Sequence, residues 1–362
     1  MGKLSGILTT VFLFVSISYA QELTPQNIFN SHRTYVNSNV QLEFDDTKFI
    51  IFIQNGETYS KEIVGRKILK ISPGSKYFLI ANHAFPQDKS DYLITLRVFD
   101  NSGNEIFEKN IKAYFDMPHP LFAINDDGIA AGFDPLYFKF ITISKNEIKE
   151  SAVIKDAPFE MERAAFIQAD NKEFYVLSSI KPLSIENEKA NVSLFRINSS
   201  DGKIEQTGLD LSTPVLLKII ENELYVSGIK FTAQQSVQYL FKFTKNLKTT
   251  VSNNIAVERL VKSGSSLFGK YADKIFKLNT DLTIEKVYSS NLHARVLDLA
   301  ADKSAVYALI TDGNNLYLSN FNSELEMISQ RKLAAQKILG SESIQTAGGK
   351  LLLHLGDKTV EY

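Results

Sequence analysis

The stretch 98–108, VFDNSGNEIFE, is an apolar strand end, a polar turn around Gly103 and a second alternating run, and the same pattern recurs along the chain. Segments 49–63, 96–111, 138–154, 194–209, 240–252, 275–287 and 316–329 all carry it. Alternation of apolar and polar residues on both sides of a short polar turn is the signature of a β-hairpin. Aligning the turn entries at Gln54, Asp100, Ser144, Asn198, Thr244, Asn279 and Asn322 gives spacings of 46, 44, 54, 46, 35 and 43 residues.

Each interval between hairpins supplies two more strand-like runs, as in 67–82, 121–133, 164–179, 216–229, 259–271, 296–310 and 343–356. Two such strands and a hairpin make a four-stranded unit. A period of about 40 to 50 residues built wholly of strands predicts the blades of a β-propeller, an all-β ring. The first hairpin has no evident inner strands before it and the last pair has no full hairpin after it. Pairing the N- and C-terminal strands in one blade closes the ring at seven blades and leaves no open sheet edge. Residues 359–362 read as a third C-terminal strand in that blade, with six or eight blades as the alternatives. Residues 21–38 read as an N-terminal arm lying on the ring, in which Thr24 and Pro25 suit the start of a short helix. No linker interrupts 39–362, which is expected to be one domain.

Residues 1–20 place Lys3 before an apolar run, 7–17, that ends in the small residues Ser18-Tyr19-Ala20. That is the pattern of a secretory signal cleaved after Ala20, and the run is shorter than the roughly 20 residues that span a bilayer. The expectation is a periplasmic or secreted protein with no transmembrane segment after cleavage. There is no cysteine, so no disulfide supports the fold and the core must hold it alone. Forty basic and 41 acidic residues give a net charge of −1, which offers a nucleic acid no general attraction.

The repeat resembles that of exported bacterial β-propellers with degenerate blades. The resemblance is one of architecture. Tryptophan is absent, so the WD dipeptide and the tryptophan of quinone-dependent propeller repeats are both missing. Ser199-Ser200-Asp201-Gly202 lacks the spacing of the sialidase box, and no functional residue carries over.

The chain has no P-loop, dinucleotide fingerprint, HExxH or GxSxG motif, and none that implies a cofactor. Chemistry must come from loops converging at a mouth of the ring. Aligning the starts of the inner strands brings Lys67, His119, Arg163, Arg259 and Arg295 to nearly equivalent positions. Convergent guanidinium groups offer planar donor forks to carboxylate, sulfate or phosphate. The competing reading pairs each arginine with a neighbouring carboxylate: Glu160 and Glu162 beside Arg163, Glu258 beside Arg259, Asp298 near Arg295. His119 and His293, with Asp116 and Glu162, lack local ligand spacing, so no metal site is assigned. Loops 82–91 and 181–191 offer Phe85, Leu183 and Ile185 to a protein partner, and Asp126-Asp127-Gly128 reads as a tight turn.

The functional expectation is an exported, non-catalytic binding or scaffold propeller that recognises a protein partner or an anionic ligand at the loop-rich mouth. The rivals are a hydrolase or lyase of acidic glycans using Glu160, Glu162 or Glu258, and a structural subunit of an envelope assembly.

Overall fold

The computed structural model describes residues 27–29, 31–45, 48–53, 56–62, 68–84, 93–114, 120–135, 139–153, 165–179, 192–232, 234–290, 294–333, 338–356 and 358–362. The strands form eight four-stranded antiparallel sheets, so the ring has eight blades where seven were expected. Blades 1 to 7 occupy 32–62, 68–110, 121–153, 165–209, 213–253, 259–289 and 295–332, each a simple meander in chain order. In every one of these, the third and outer strands are the hairpin recognised in the sequence. Blade 8 takes its inner three strands, Ser343–Ala347, Lys350–Leu355 and Lys358–Glu361, from the C-terminus and its outer strand, Asn27–Phe29, from the N-terminus.

The miscount has a local cause. The first hairpin does have inner strands of its own, His32–Tyr35 and Val40–Phe44, which lie within or next to the segment read as an arm. They are short and half polar, so their alternation is weak beside that of later strands. Terminal pairing does close the ring, but three strands come from one end and one from the other: Asn27 pairs with Glu361 and Phe29 with Thr359.

Central strands such as Leu93–Asp100 are buried almost throughout, since both faces of a blade meet neighbouring blades. Seven apolar clusters fill the seven junctions from blade 1 to blade 8. At the junction of blades 1 and 2, for example, the Phe99 ring stacks on Phe78 at 5.2 Å and meets Phe49 edge-on at 6.1 Å.

The opening turn shows how the hairpins are made. The Asp100 amide bonds the Asn104 carbonyl at 3.0 Å and the Gly103 amide bonds the Asp100 carbonyl at 3.0 Å. The same two bonds recur in the turns beginning at Thr244, Asn279 and Asn322. This is the three-residue hairpin loop whose last residue is left-handed and followed by a bulge. Gly103 takes that place with φ +77°, and a Cβ there would come within 2.8 Å of Thr58 Oγ1. Leu247, Leu282 and Leu325 take it in blades 5, 6 and 7 with φ between 55° and 63°, and all three are buried. A left-handed leucine costs about 1–2 kcal/mol, whereas deleting a buried leucine side chain costs about 2–5 kcal/mol, so burial wins. Leu282→Gly, which relieves the backbone and empties the core, is therefore expected to destabilise the protein by about 2 kcal/mol in urea denaturation. A neutral or stabilising result would mean that the turn, not the core, selects leucine.

Among the described residues the junction of blade 8 with blade 1 holds no apolar cluster. Gln345 spans it, accepting bonds from the Tyr35 amide and Thr34 Oγ1 at 2.9 Å and donating to the Tyr35 carbonyl at 2.6 Å. Thr359 Oγ1 accepts the Arg33 amide at 3.0 Å, and the Tyr35 hydroxyl donates to Glu361 Oε2 at 2.9 Å. Gln345→Leu removes three bonds across the closure and is expected to cost about 2 kcal/mol. Gln330→Leu, which removes one bond to Ser319 inside blade 7, should cost less than half of that. Equal losses in the two variants would remove the closure role of Gln345.

Candidate functional site

The eight inner strands pack around the ring axis, and each is a sheet edge with one row of backbone amides and carbonyls unpaired within its own blade. Side chains of neighbouring blades bond some of these groups. Arg259 Nε reaches the Leu299 carbonyl at 3.3 Å, Lys270 Nζ the Val296 carbonyl at 3.1 Å, and Thr346 Oγ1 the Ala301 carbonyl at 2.6 Å. Asp298 Oδ2 accepts the Ile344 amide at 3.0 Å. Among the described residues these contacts to inner strands lie in blades 6 to 8. The inner strands of blades 3 and 4, LFAI and AFIQAD, carry a single charge, Asp170, which pairs with Lys245.

Asp298 owes its direction to a bulge. The register of blade 7 shifts between Val296 and Asp298, so Leu297 is the extra residue, and such a shift re-aims the side chains that follow. Its carboxylate meets Arg259 Nε at 3.2 Å while also accepting the Ile344 amide. Arg259 makes its bonds through Nε alone, so among the described residues its two terminal nitrogens have no protein partner, and the side chain is about half exposed at 46%.

Lys218 completes the group. In the inner strand of blade 5, Leu217 and Ile219 pack toward blade 4 and Leu216 and Ile220 toward blade 6, so Lys218 shares the blade 6 side. Among the described residues no carboxylate pairs with it. Burial, followed by the positive charge of Arg259, pushes its ammonium below the usual lysine range. On the far side of Asp298, burial and then the His32 charge push His354 down, with Asp298 working in the opposite direction. Among the described residues the only carboxylate paired with either Lys218 or Arg259 is thus Asp298, which already takes Arg259 and the Ile344 and Leu299 amides.

Of the residues that the sequence brought to the mouth, Arg259 and Arg295 begin inner strands of adjacent blades, as the alignment expected. Lys67, His119 and Arg163 lie outside the described residues, as do Asp116, Glu160, Glu162, His293, Phe85, Leu183 and Ile185. The expected neutralising pairs are rearranged. Glu258 accepts Lys270 Nζ at 2.8 Å instead of Arg259, and Asp298 binds Arg259 instead of Arg295. Arg295 is exposed with no carboxylate on it among the described residues. Asp126-Asp127-Gly128 is a tight turn, with Asn125 Oδ1 accepting the Asp127 and Ile129 amides and Gly128 at φ +72°. Lys218 was missed because a lysine inside an apolar strand run, LLKII, looks like a solvated edge residue. Its only sequence signal is that a charge interrupts the run.

No family model and no curated protein sequence matches the chain. Its fold is similar to that of the Dos1 propeller, with a TM-score of 0.59 at 13% identity over 94% of this chain and 95% of that one. It is also similar to apo AztD from Citrobacter koseri, with a TM-score of 0.54 at 11% identity over 87% of each chain. Dipeptidyl peptidase 4 from Porphyromonas gingivalis gives a TM-score of 0.55 at 10% identity, over 89% of this chain and 56% of that one. At such identities the likeness is one of fold.

An unpaired, desolvated ammonium costs stability, so its removal is informative. Lys218→Met keeps the length of the side chain and deletes the charge, and is expected to stabilise the ligand-free protein by about 1 kcal/mol at neutral pH. The gain should shrink as pH rises through the lowered folded-state value toward the unfolded-state value of about 10.4, because the wild-type amine is then neutral when folded. A destabilised Lys218→Met would show instead that the ammonium holds the fold together.

Proposed function

We propose that the chain is a non-catalytic binding propeller, exported from the cytoplasm, that takes a small anion on the polar arc of its channel. The observation that carries this reading is the conjunction of the Lys218 ammonium with the terminal fork of Arg259, both without a carboxylate partner of their own among the described residues. An anion laid between them regains the partners both cations lack, and a guanidinium fork suits two oxygens of one carboxylate, sulfate or phosphate group. Local charge supports it although the net charge of the chain is −1. Export rests on the leader-like residues 1–20, and among the described residues no helix is long and apolar enough to cross a membrane.

Thermal denaturation against sulfate, phosphate, simple dicarboxylates and acidic sugars tests the reading. A ligand at 100 times its dissociation constant adds about 2.7 kcal/mol of apparent stability. The shift should disappear in Lys218→Met and in Arg259→Met, yet persist in Lys270→Met, whose ammonium already has Glu258. Absence of any shift across the panel, or a shift indifferent to Lys218 and Arg259, overturns it.

A further inference from the structure

On the opposite face of the ring from the starts of the inner strands, blades 4, 5 and 6 repeat one arrangement. Each carries a cation on its third strand two residues before the turn: Arg196, Lys242 and Lys277. Each cation lies across from an aromatic residue of the second strand: Tyr175, Tyr225 and Phe268. At two of the three junctions that cation bridges to the third residue of the next blade's turn. Arg196 Nη1 donates to Asn246 Oδ1 at 3.1 Å, and Lys277 Nζ donates to Glu324 Oε2 at 2.8 Å. The first junction is closed further by an ion pair between Lys245 and Asp170 and by the Tyr175 hydroxyl, which donates to the Lys245 carbonyl at 3.4 Å.

Between blades 5 and 6 the bridge is not made. The residue equivalent to Asn246 and Glu324 is Asp281, whose carboxylate turns back on its own loop to accept the Thr283 amide at 3.1 Å and hydroxyl at 2.6 Å. Thr280 stands where Lys245 stands, and Ile220 where Asp170 stands, so the second closing pair is absent as well. Lys242 keeps only the pair within its own blade, with Glu223 at 2.8 Å, which also accepts the Tyr225 hydroxyl at 2.8 Å, just as Glu173 takes Arg196 and the Tyr175 hydroxyl in blade 4. Burial opposes the charge on Glu223, but those bonds hold its carboxyl below the usual range. The junction is left as an open cleft of about 390 Å³, the size of a small-molecule site.

We propose that this cleft binds a neutral, amide-bearing sugar, an N-acetylated hexosamine, whose amide oxygen supplies the missing acceptor to Lys242. The neighbouring junctions show that the cation position accepts an amide or a carboxylate oxygen. The charges within the cleft decide between them. Lys262 is paired with Glu221 as Lys242 is with Glu223, so the walls carry two cations and two carboxylates, a balance that a neutral amide oxygen keeps and an added carboxylate would turn negative. Asn222, Ser265, Asn279 and Thr280 offer the mixed donors and acceptors that hydroxyl groups need, and Leu267 and Leu278 give an apolar surface for a ring face or an acetyl methyl.

Saturation-transfer NMR with N-acetylglucosamine, and with glucose as the sugar lacking the amide, tests this. Transfer to the acetyl methyl is expected from the wild-type protein at millimolar sugar, with glucose markedly weaker. Grafting the closed junction through Ile220→Asp, Thr280→Lys and Asp281→Asn should abolish the transfer, and Lys242→Met should weaken binding about tenfold. Lys139→Met, which removes an ion pair with Glu150 in blade 3, should leave it unchanged. No transfer from the wild type, equal transfer to both sugars, or binding indifferent to Lys242→Met overturns the proposal, and the last comparison decides even where the graft does not fold.

Discussion

Everything in this ring depends on closing it, and among the described residues the closure is made of directional polar contacts where each of the other seven junctions holds an apolar cluster. Residues 32–35 meet 343–362 across more than 300 intervening positions, although the entropy of joining distant segments grows only with the logarithm of their separation. The larger difficulty is register. Apolar side chains tolerate sliding, whereas a strand that slips by one residue exchanges its faces. Gln345 bonds both the amide and the carbonyl of Tyr35, so its carboxamide behaves as one more paired residue at a sheet edge. Glu361 adds a second fixed point, holding the Tyr35 hydroxyl while Lys350 neutralises it at 3.0 Å. A closure of this kind has one satisfied alignment.

Within the ring, variation on one repeat produces both rigidity and sites. The left-handed turn position takes glycine where a neighbouring side chain fills the space, as Thr58 does at Gly103, and leucine where the space belongs to the core. The cation two residues before that turn bridges to the next blade when the facing loop offers an oxygen outward. Where Asp281 satisfies its own loop instead, the same blade geometry leaves a cleft. Small changes in which group a turn bonds are enough to convert a structural junction into an accessible one, with no change in strand order.

The hairpins, their turns and the all-β ring were legible because alternation at period two is strong when one strand is buried on both faces and the next is exposed on one. Leu93–Asp100 and Glu105–Asn110 show that contrast. The first inner strands were not legible, because HRTY and VQLEF have few apolar residues and are stabilised by partners from the far end of the chain. The basic positions Arg259 and Arg295 could be placed at strand starts from spacing alone. Their partners could not, since nearness in sequence suggested Glu258 for Arg259 and Asp298 for Arg295, whereas a bulge at Leu297 sends Asp298 to Arg259. Lys218 and the cleft beside Lys242 depend on contacts between blades, which one strand read at a time does not contain.

The channel arc also shows why structural and ligand-binding roles are hard to separate in such a ring. Asp298 caps the edge amide of Ile344, and Arg259 caps the edge carbonyl of Leu299, so both belong to the closure of adjacent blades. Neither duty uses the terminal nitrogens of Arg259, and neither calls for a cation at position 218. A methionine there would bury the same stem without desolvating an ammonium. The surplus of positive charge over what the edges require is therefore the part of the arc that packing leaves unexplained, and the proposed anion is the partner that would balance it.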